Sequence, residues 1–99
     1  MRTLMRVCME TERANKAISD GTLPKIVKSF TQEYRPEASY FTTWEGRRTA
    51  YFVFDLKDAS HIPLIAEPFF MGLNAEIECT PVMNADDLAH GLEAWSKKK

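Results

Sequence analysis

The side chains of this chain that could bind or transform a ligand are an arginine, three aromatic residues and a histidine. Arg6 lies in the middle of the alternating stretch Arg2 to Glu10, a pattern that predicts a strand. A buried guanidinium needs a carboxylate or several other acceptors, and we expect Asp55 or Glu78 of neighbouring strands to supply one. Arg6 is then either half of an ion pair at or near a subunit interface, a solvent-exposed charge, or an anchor for a ligand carboxylate or enolate.

The aromatic residues Tyr40, Trp44 and Tyr51 are predicted on the less apolar faces of the strands. The charged residues predicted on these faces are Arg6, Asp55, Glu76 and Glu78. The hydroxyl and indole donors of the three aromatic residues could line an aromatic cavity. The structural alternative is that they belong to the core or to an interface. We take Arg6, Tyr40, Trp44 and Tyr51 as the candidate ligand-binding residues.

His61 is the candidate catalytic residue because it lies at the start of a predicted helix. The positive end of a helix disfavours imidazolium, so a neutral imidazole there could accept a proton. A surface or capping histidine is the alternative. Neither His61 nor His90 has a second ligand at metal spacing, and no phosphate-binding or zinc motif is present, so we predict no metal and no cofactor.

Composition predicts an ordinary globular chain. With 44% hydrophobic and 27% charged residues, the 99 residues predict a single domain over 1–99. The formal net charge of −1 gives no electrostatic reason to expect nucleic acid or an anionic membrane as a partner. The first residues contain no uninterrupted apolar segment, and Cys8 and Cys79 form no paired motif. We expect a cytoplasmic protein with both cysteines as small buried hydrophobes.

The stretch Thr49 to Lys57 predicts the strand that organises the fold. Alternation places Phe52 and Phe54 on one face and Tyr51 and Val53 on the other, so both faces are largely apolar. Such a strand needs cover on both sides, whereas the helical segments suffice for one. The sequence therefore predicts that a second copy of the chain covers the other face.

The remaining elements follow from periodicity and turn signals. Further strands are predicted over Ser39 to Glu45 and Ala75 to Met83. Helices are predicted over Thr11 to Tyr34 with Thr11 as cap and a break near Gly21, from a Ser60 cap with a kink or restart at Pro68, and after Asn84. The order predicts an α+β split βαβ (ferredoxin-like) fold. Its antiparallel sheet has four strands in the order 4-1-3-2, with helices on one face and an extra C-terminal helix.

This strand plan resembles the dimeric α+β-barrel superfamily, as does the closing stretch Ala75 to Leu88, in which a strand ends in Thr-Pro-Val before an acidic helix start. Within that superfamily it is most similar to a group of small bacterial proteins of unknown function. The resemblance implies two sheets packed face to face into a barrel. Some members are cofactor-independent monooxygenases, isomerases or haem-degrading enzymes, and others have no known activity.

Three hypotheses of function follow. The first is a homodimer that binds a small apolar or aromatic molecule and has no chemistry of its own. The second is a cofactor-independent monooxygenase- or isomerase-type enzyme for an aromatic or enolisable substrate, with His61 as base and Arg6 or Tyr40 stabilising negative charge. The third is a structural interaction module that has no cavity.

Overall fold

The fold is known from a computed structural model that describes residues 1–98. Within that range the chain forms a four-stranded antiparallel sheet and four α-helices, which confirms the predicted α+β class. In chain order the elements are β1 (Arg2–Cys8), α1 (Thr11–Asp20), α2 (Thr22–Tyr34), β2 (Ala38–Trp44), β3 (Arg47–Asp55), α3 (Ile62–Leu73), β4 (Glu76–Pro81) and α4 (Ala85–Lys97).

The sheet has the strand order β2-β3-β1-β4, and all neighbouring strands are antiparallel. Read from the β4 edge, this order is 4-1-3-2. The central strands β1 and β3 pair along their whole common length, from Arg2 opposite Asp55 to Cys8 opposite Thr49. The edge strands β2 and β4 leave one backbone side unpaired among the described residues, at opposite ends of the sheet.

The hydrophobic core lies between one face of the sheet and the helices α1, α2 and α3. Phe30 of α2 is at its centre, with ring centroids 4.7 Å from Phe52, 5.3 Å from Phe54 and 5.9 Å from Phe69. These centroid distances are typical of favourable aromatic contacts, which add to the stabilisation from area burial. The predicted alternation of β3 is confirmed, because Phe52 and Phe54 face this core.

The break between α1 and α2 is confirmed at Gly21, whose φ of 82° lies in the left-handed region that glycine adopts without steric cost. The predicted cap of α1 is wrong. Thr11 is the first helical residue, and the N-cap is Glu10, whose carboxylate accepts from the backbone N–H groups of Glu12 and Arg13. This carboxylate receives two charge-assisted hydrogen bonds at the positive helix end, and both bonds lower the Glu10 pKa.

The predicted start of α3 is also wrong. A short 3₁₀ turn over Ala59–His61 precedes the helix, so Pro63 is the second residue of α3, where no N–H donor is needed. The Ser60 hydroxyl donates to the Asp58 carboxylate and does not cap α3.

The helix also continues through Pro68 to Leu73, so the expected restart does not occur. The proline removes the N–H that would bond to the carbonyl of Leu64. Because Leu64 is exposed, water can replace that donor.

The last helix, α4, stands apart from this core. Its N-terminus has a capping box in which Asn84 accepts from the Asp87 backbone N–H at 2.8 Å and Asp87 accepts from that of Asn84 at 3.0 Å. None of residues 85–97 is buried. The radius of gyration is 16.0 Å, whereas a compact chain of this length has about 13 Å. Within residues 1–98, no helix has the length and apolarity that crossing a membrane requires.

Candidate ligand-binding face of the sheet

The face of the sheet opposite α1, α2 and α3 carries most of the residues that the sequence singles out. We call it the open face. Strand alternation and register place these side chains on it: Leu4, Arg6, Cys8, Tyr40, Thr42, Trp44, Thr49, Tyr51, Val53, Glu76, Glu78 and Thr80. The helices α1, α2 and α3 build the core and pack on the other face of the sheet.

A continuous row of polar and aromatic residues crosses the middle of the open face. Arg6 of β1 lies opposite Glu78 of β4 on one side and opposite Tyr51 of β3 on the other. Tyr51 in turn lies opposite Tyr40 of β2. Directly opposed side chains in antiparallel strands are close enough to interact. The register therefore groups three of the four predicted ligand-binding residues.

The guanidinium of Arg6 is held by two neighbours of different chemistry. Its Nη2 donates to Glu78 Oε2 at 2.5 Å, and its guanidinium carbon lies 4.6 Å from the centroid of the Trp44 ring. The first contact is a charge-assisted hydrogen bond and the second a cation–π interaction. Trp44, the fourth predicted residue, thus joins the row through Arg6.

Of the two carboxylates expected as possible partners of Arg6, Glu78 is the partner and Asp55 is not. Asp55 lies opposite Arg2, four residues from Arg6 along β1. Its carboxylate instead accepts from the N-terminal amine at 2.6 Å and pairs with Lys57 at 2.6 Å. These two contacts lower the pKa of Asp55 to about 2.

Next to Arg6 the open face contains a cavity of about 280 Å³. It is lined by Arg6, Cys8, Trp44, Glu45, Glu76 and Glu78. The volume is near the lower end of the range for small-molecule sites. Three carboxylates line it together with Arg6, and Arg47 at the start of β3 donates to Glu76 at 3.1 Å. The lining is therefore rich in acceptors and suits a ligand that donates hydrogen bonds.

Two lining residues were not identified as candidates from the sequence. Glu45 and Gly46 form the two-residue turn between β2 and β3, with φ values of 51° and 77°. Positive φ at both positions is typical of a type I′ hairpin turn. The Glu-Gly pair between two strands is a signal for this turn, but the direction of the Glu45 side chain depends on the fold.

Cys8 is the other missed residue. It is a free, buried thiol, as predicted, but it lines the cavity and is absent from the core cluster. Cys79 is partly buried and packs against the core, and this burial raises the pKa of its thiol. The alternation of Leu4, Arg6 and Cys8 predicts which face of the sheet Cys8 lies on, but it does not predict that a cavity forms there.

The structure places His61 away from this group. It ends the 3₁₀ turn that leads into α3, and α3 packs on the opposite face of the sheet. Its Nδ1 is buried and has no hydrogen-bond partner among the described residues. The cavity beside Arg6 does not include His61. Among residues 1–98, no three side chains of the histidine, cysteine or acidic type come together as metal ligands.

A second, more apolar groove of about 230 Å³ lies between α2 and α3. Its apolar lining includes Ile26, Phe30, Tyr34, Leu64 and Phe69. Helical spacing places these residues on facing stripes, but the gap between the stripes could not be predicted from the sequence.

The fold is α+β and compatible with the ferredoxin-like type, and the core helices α1, α2 and α3 pack on one face of the sheet. No protein-family model matches the chain, and no curated protein matches it significantly.

Proposed function

We propose that this protein is a homodimeric α+β-barrel protein that binds a small aromatic molecule on its open face and has no chemistry of its own. The observation that carries this proposal is the row Glu78, Arg6, Tyr51 and Tyr40, with Trp44 stacked on Arg6, in the middle of the open face. Aromatic rings and a fixed guanidinium are the groups that recognise a planar ligand with polar substituents.

Pairing of two open faces would provide the layer that each sheet lacks. Beside the polar row lies an apolar row, in which Leu4 of β1 lies opposite Val53 of β3 and Val53 lies opposite Ala38 of β2. All three are partly buried already. This row suits the dry part of an interface, where apolar side chains exclude water. The polar row would then face the interior of the barrel and remain available to a ligand.

The charges around the cavity favour a ligand that donates hydrogen bonds. Glu45, Glu76 and Glu78 offer carboxylate acceptors, and Arg6 keeps further N–H donors beyond the one used by Glu78. A phenolic hydroxyl can donate to a carboxylate and accept from the guanidinium at once. A ligand carboxylate would instead face three like charges. We therefore favour a hydroxylated aromatic molecule.

Binding is preferred to catalysis because the two groups of the enzymatic hypothesis are not in one cavity. A base at His61 and an anion-stabilising Arg6 would have to reach the same substrate, whereas His61 leads into the helix layer. In the binding proposal, His61→Ala leaves ligand affinity unchanged.

Fluorescence titration tests the proposal directly. The substitution Trp95→Phe leaves Trp44, which contacts Arg6, as the single tryptophan reporter. Phenol, benzoate and benzylamine serve as aromatic probes with a hydroxyl, a carboxylate and an amine. We expect phenol to change Trp44 emission more strongly than benzoate at equal concentration. Native mass spectrometry of freshly purified protein would show whether a dimer retains a small molecule.

The matched variants are Arg6→Gln on the open face and Phe70→Ala on the exposed side of α3. Arg6→Gln should weaken phenol binding by about tenfold, because it removes a charged donor and the contact to Trp44. Phe70→Ala should have no effect. Equal affinities in the two variants would refute the proposed site.

A further inference from the structure

The helix α4 buries none of its residues 85–97 within its own chain. It has 13 residues and is about 20 Å long. Isolated helices of this length are marginal in water, and most helices in proteins depend on packing of an apolar stripe. In α4 the stripe includes Leu88 and Leu92, which are 47% and 57% exposed. Arg2 contacts Asp87 in the first turn of the helix at 3.4 Å.

A second unsupported surface lies at the other edge of the sheet. None of the seven residues of β2 is buried. Tyr40 on the open face is 69% exposed, and Phe41 on the helix side is 59% exposed. The Phe41 ring meets Phe52 edge to face at 6.0 Å but is not part of the core cluster. An edge strand exposed on both faces is prone to pairing with another chain unless something covers it.

The strand order separates α4 from the β2 edge within one copy of the chain, whereas a symmetric pair of copies can bring them together. The edges β2 and β4 are separated by three strand spacings, or about 14 Å, and α4 leaves from the β4 side. A two-fold axis that runs along the strands between two facing sheets places the β4 edge of each copy over the β2 edge of the other. Both unsupported surfaces then meet twice in one symmetric pair.

We propose that α4 crosses to a second copy of this chain and packs Leu88 and Leu92 against Phe41 at the β2 edge of that copy. This arm exchange rests on the proposed pairing of the open faces. It makes α4 a part of the dimer interface, and it covers the exposed edge strand. The occupant of the β2 edge is therefore a named segment of the same protein.

Paired charge substitutions on two sides of α4 test the arm. The double variant Leu88→Glu/Leu92→Glu places two carboxylates on the apolar stripe. The control His90→Glu/Ala94→Glu places two on the opposite side of the same helix. In sedimentation equilibrium we expect the first to raise the dimer Kd by about tenfold for each leucine, and the control to leave it unchanged. Equal Kd values in the two variants would overturn the proposal.

A mixing experiment reports the contact itself. Chains with Leu92→Cys and isotope-labelled chains with Phe41→Cys are mixed and oxidised, and the joined peptides are identified by mass spectrometry. Arm exchange predicts a disulfide between the labelled and unlabelled chains at positions 41 and 92. A mixture with Lys28→Cys in α2 in place of Phe41→Cys is the control, and a yield no higher than this control refutes the contact.

The outcome also separates the two proposals. If the protein is a dimer but gives no disulfide above the control, only the arm exchange is refuted and the pairing of the open faces stands. A monomer in native mass spectrometry refutes both proposals. A chain that carries both Leu92→Cys and Phe41→Cys tests the alternative. A disulfide between positions 41 and 92 within that one chain would place α4 on its own β2 edge and overturn the exchange.

Discussion

Arg6 illustrates how a polar side chain in a central strand is satisfied without being fully buried. Its guanidinium is partly exposed, and its partner Glu78 is exposed. Exposed ion pairs contribute little to stability, because solvent screens them and ordering two long side chains costs entropy. The pair, with Trp44 behind it, therefore fixes the direction of the guanidinium. A fixed direction is what a binding residue needs.

The ion pairs of Asp55 have a different role, because they fasten the N-terminus to the end of β3. The folded-state pKa of about 2 lies below the ordinary 3.8, so the stabilisation is present above pH 4 and is lost as the pH falls towards 2. Because both ion pairs are exposed and screened by solvent, we expect Asp55→Asn to lower the urea midpoint at pH 7 only slightly and to flatten the decrease in stability between pH 4 and pH 2.

Urea unfolding at half-unit pH steps measures this dependence. Asp86→Asn is the control, since it removes a carboxylate from the exposed first turn of α4. An unchanged slope in Asp55→Asn would mean that the ion pairs do not persist in solution.

The comparison of Glu78 with Asp55 shows what a sequence can determine at the residue scale. The face of each side chain follows from alternation, so Arg6, Tyr40, Trp44 and Tyr51 were predicted on the less apolar faces of their strands, and the register brings them to one face of the sheet. The partner of Arg6 depends on the registers of β1 with β3 and with β4, and no local pattern sets the register between strands that are distant in sequence. The cavity next to Arg6 depends on the same registers.

At the scale of elements, α3 shows how burial outweighs local propensity. Its length depends on the side chains that it places in the core, even though Pro68 interrupts its hydrogen bonds. Ile65, Phe69 and Leu73 are all buried on the sheet side. Sequence rules for proline describe the local cost and do not include this tertiary gain.

Two adjacent phenylalanines of α3 provide a matched test of that explanation. Phe69 is 1% exposed and contacts Phe30, whereas Phe70 is 40% exposed. We expect Phe69→Ala to lower the free energy of unfolding by about 3–5 kcal/mol, and Phe70→Ala to change it by less than about 1 kcal/mol. Urea denaturation followed by far-ultraviolet circular dichroism measures both values. Similar losses in the two variants would mean that α3 does not pack through Phe69.

The predicted starts of α1 and α3 were wrong for a physical reason, whereas the predicted start of α4 after Asn84 is confirmed. Caps compete over one or two residues, and Glu10 competes successfully with Thr11 because its carboxylate reaches two backbone N–H groups. Before α3, the Ser60 hydroxyl has a nearer acceptor in Asp58. Strand positions and the break at Gly21 were predictable, because they depend on alternation and on a positive φ.

At the scale of the whole molecule, the chain has more apolar surface than its own helices cover. Its extents of 57 × 27 × 19 Å describe an elongated body, since α4 buries none of its residues on the core. The apolar residues on both faces of β3 already predicted from the sequence that the helices would not cover all of the apolar surface. The alternation within β2 does not by itself predict that this strand is exposed on both faces, because its exposure follows from its position at an edge of the sheet.

The proposed pairing of open faces leads to a direct prediction for Val53. Its side chain lies between Leu4 and Ala38 in the apolar row, so Val53→Lys would place a charge in the dry part of the interface. We expect the dimer Kd to rise by at least about tenfold, as is usual when a central interface residue is disrupted. Gln32→Lys, on an exposed position of α2, adds the same charge and should leave the Kd unchanged.

Sedimentation equilibrium measures both dissociation constants, and circular dichroism shows whether each variant is folded. A folded Val53→Lys dimer with the original Kd would place the interface elsewhere, and the open face would then need a different covering layer.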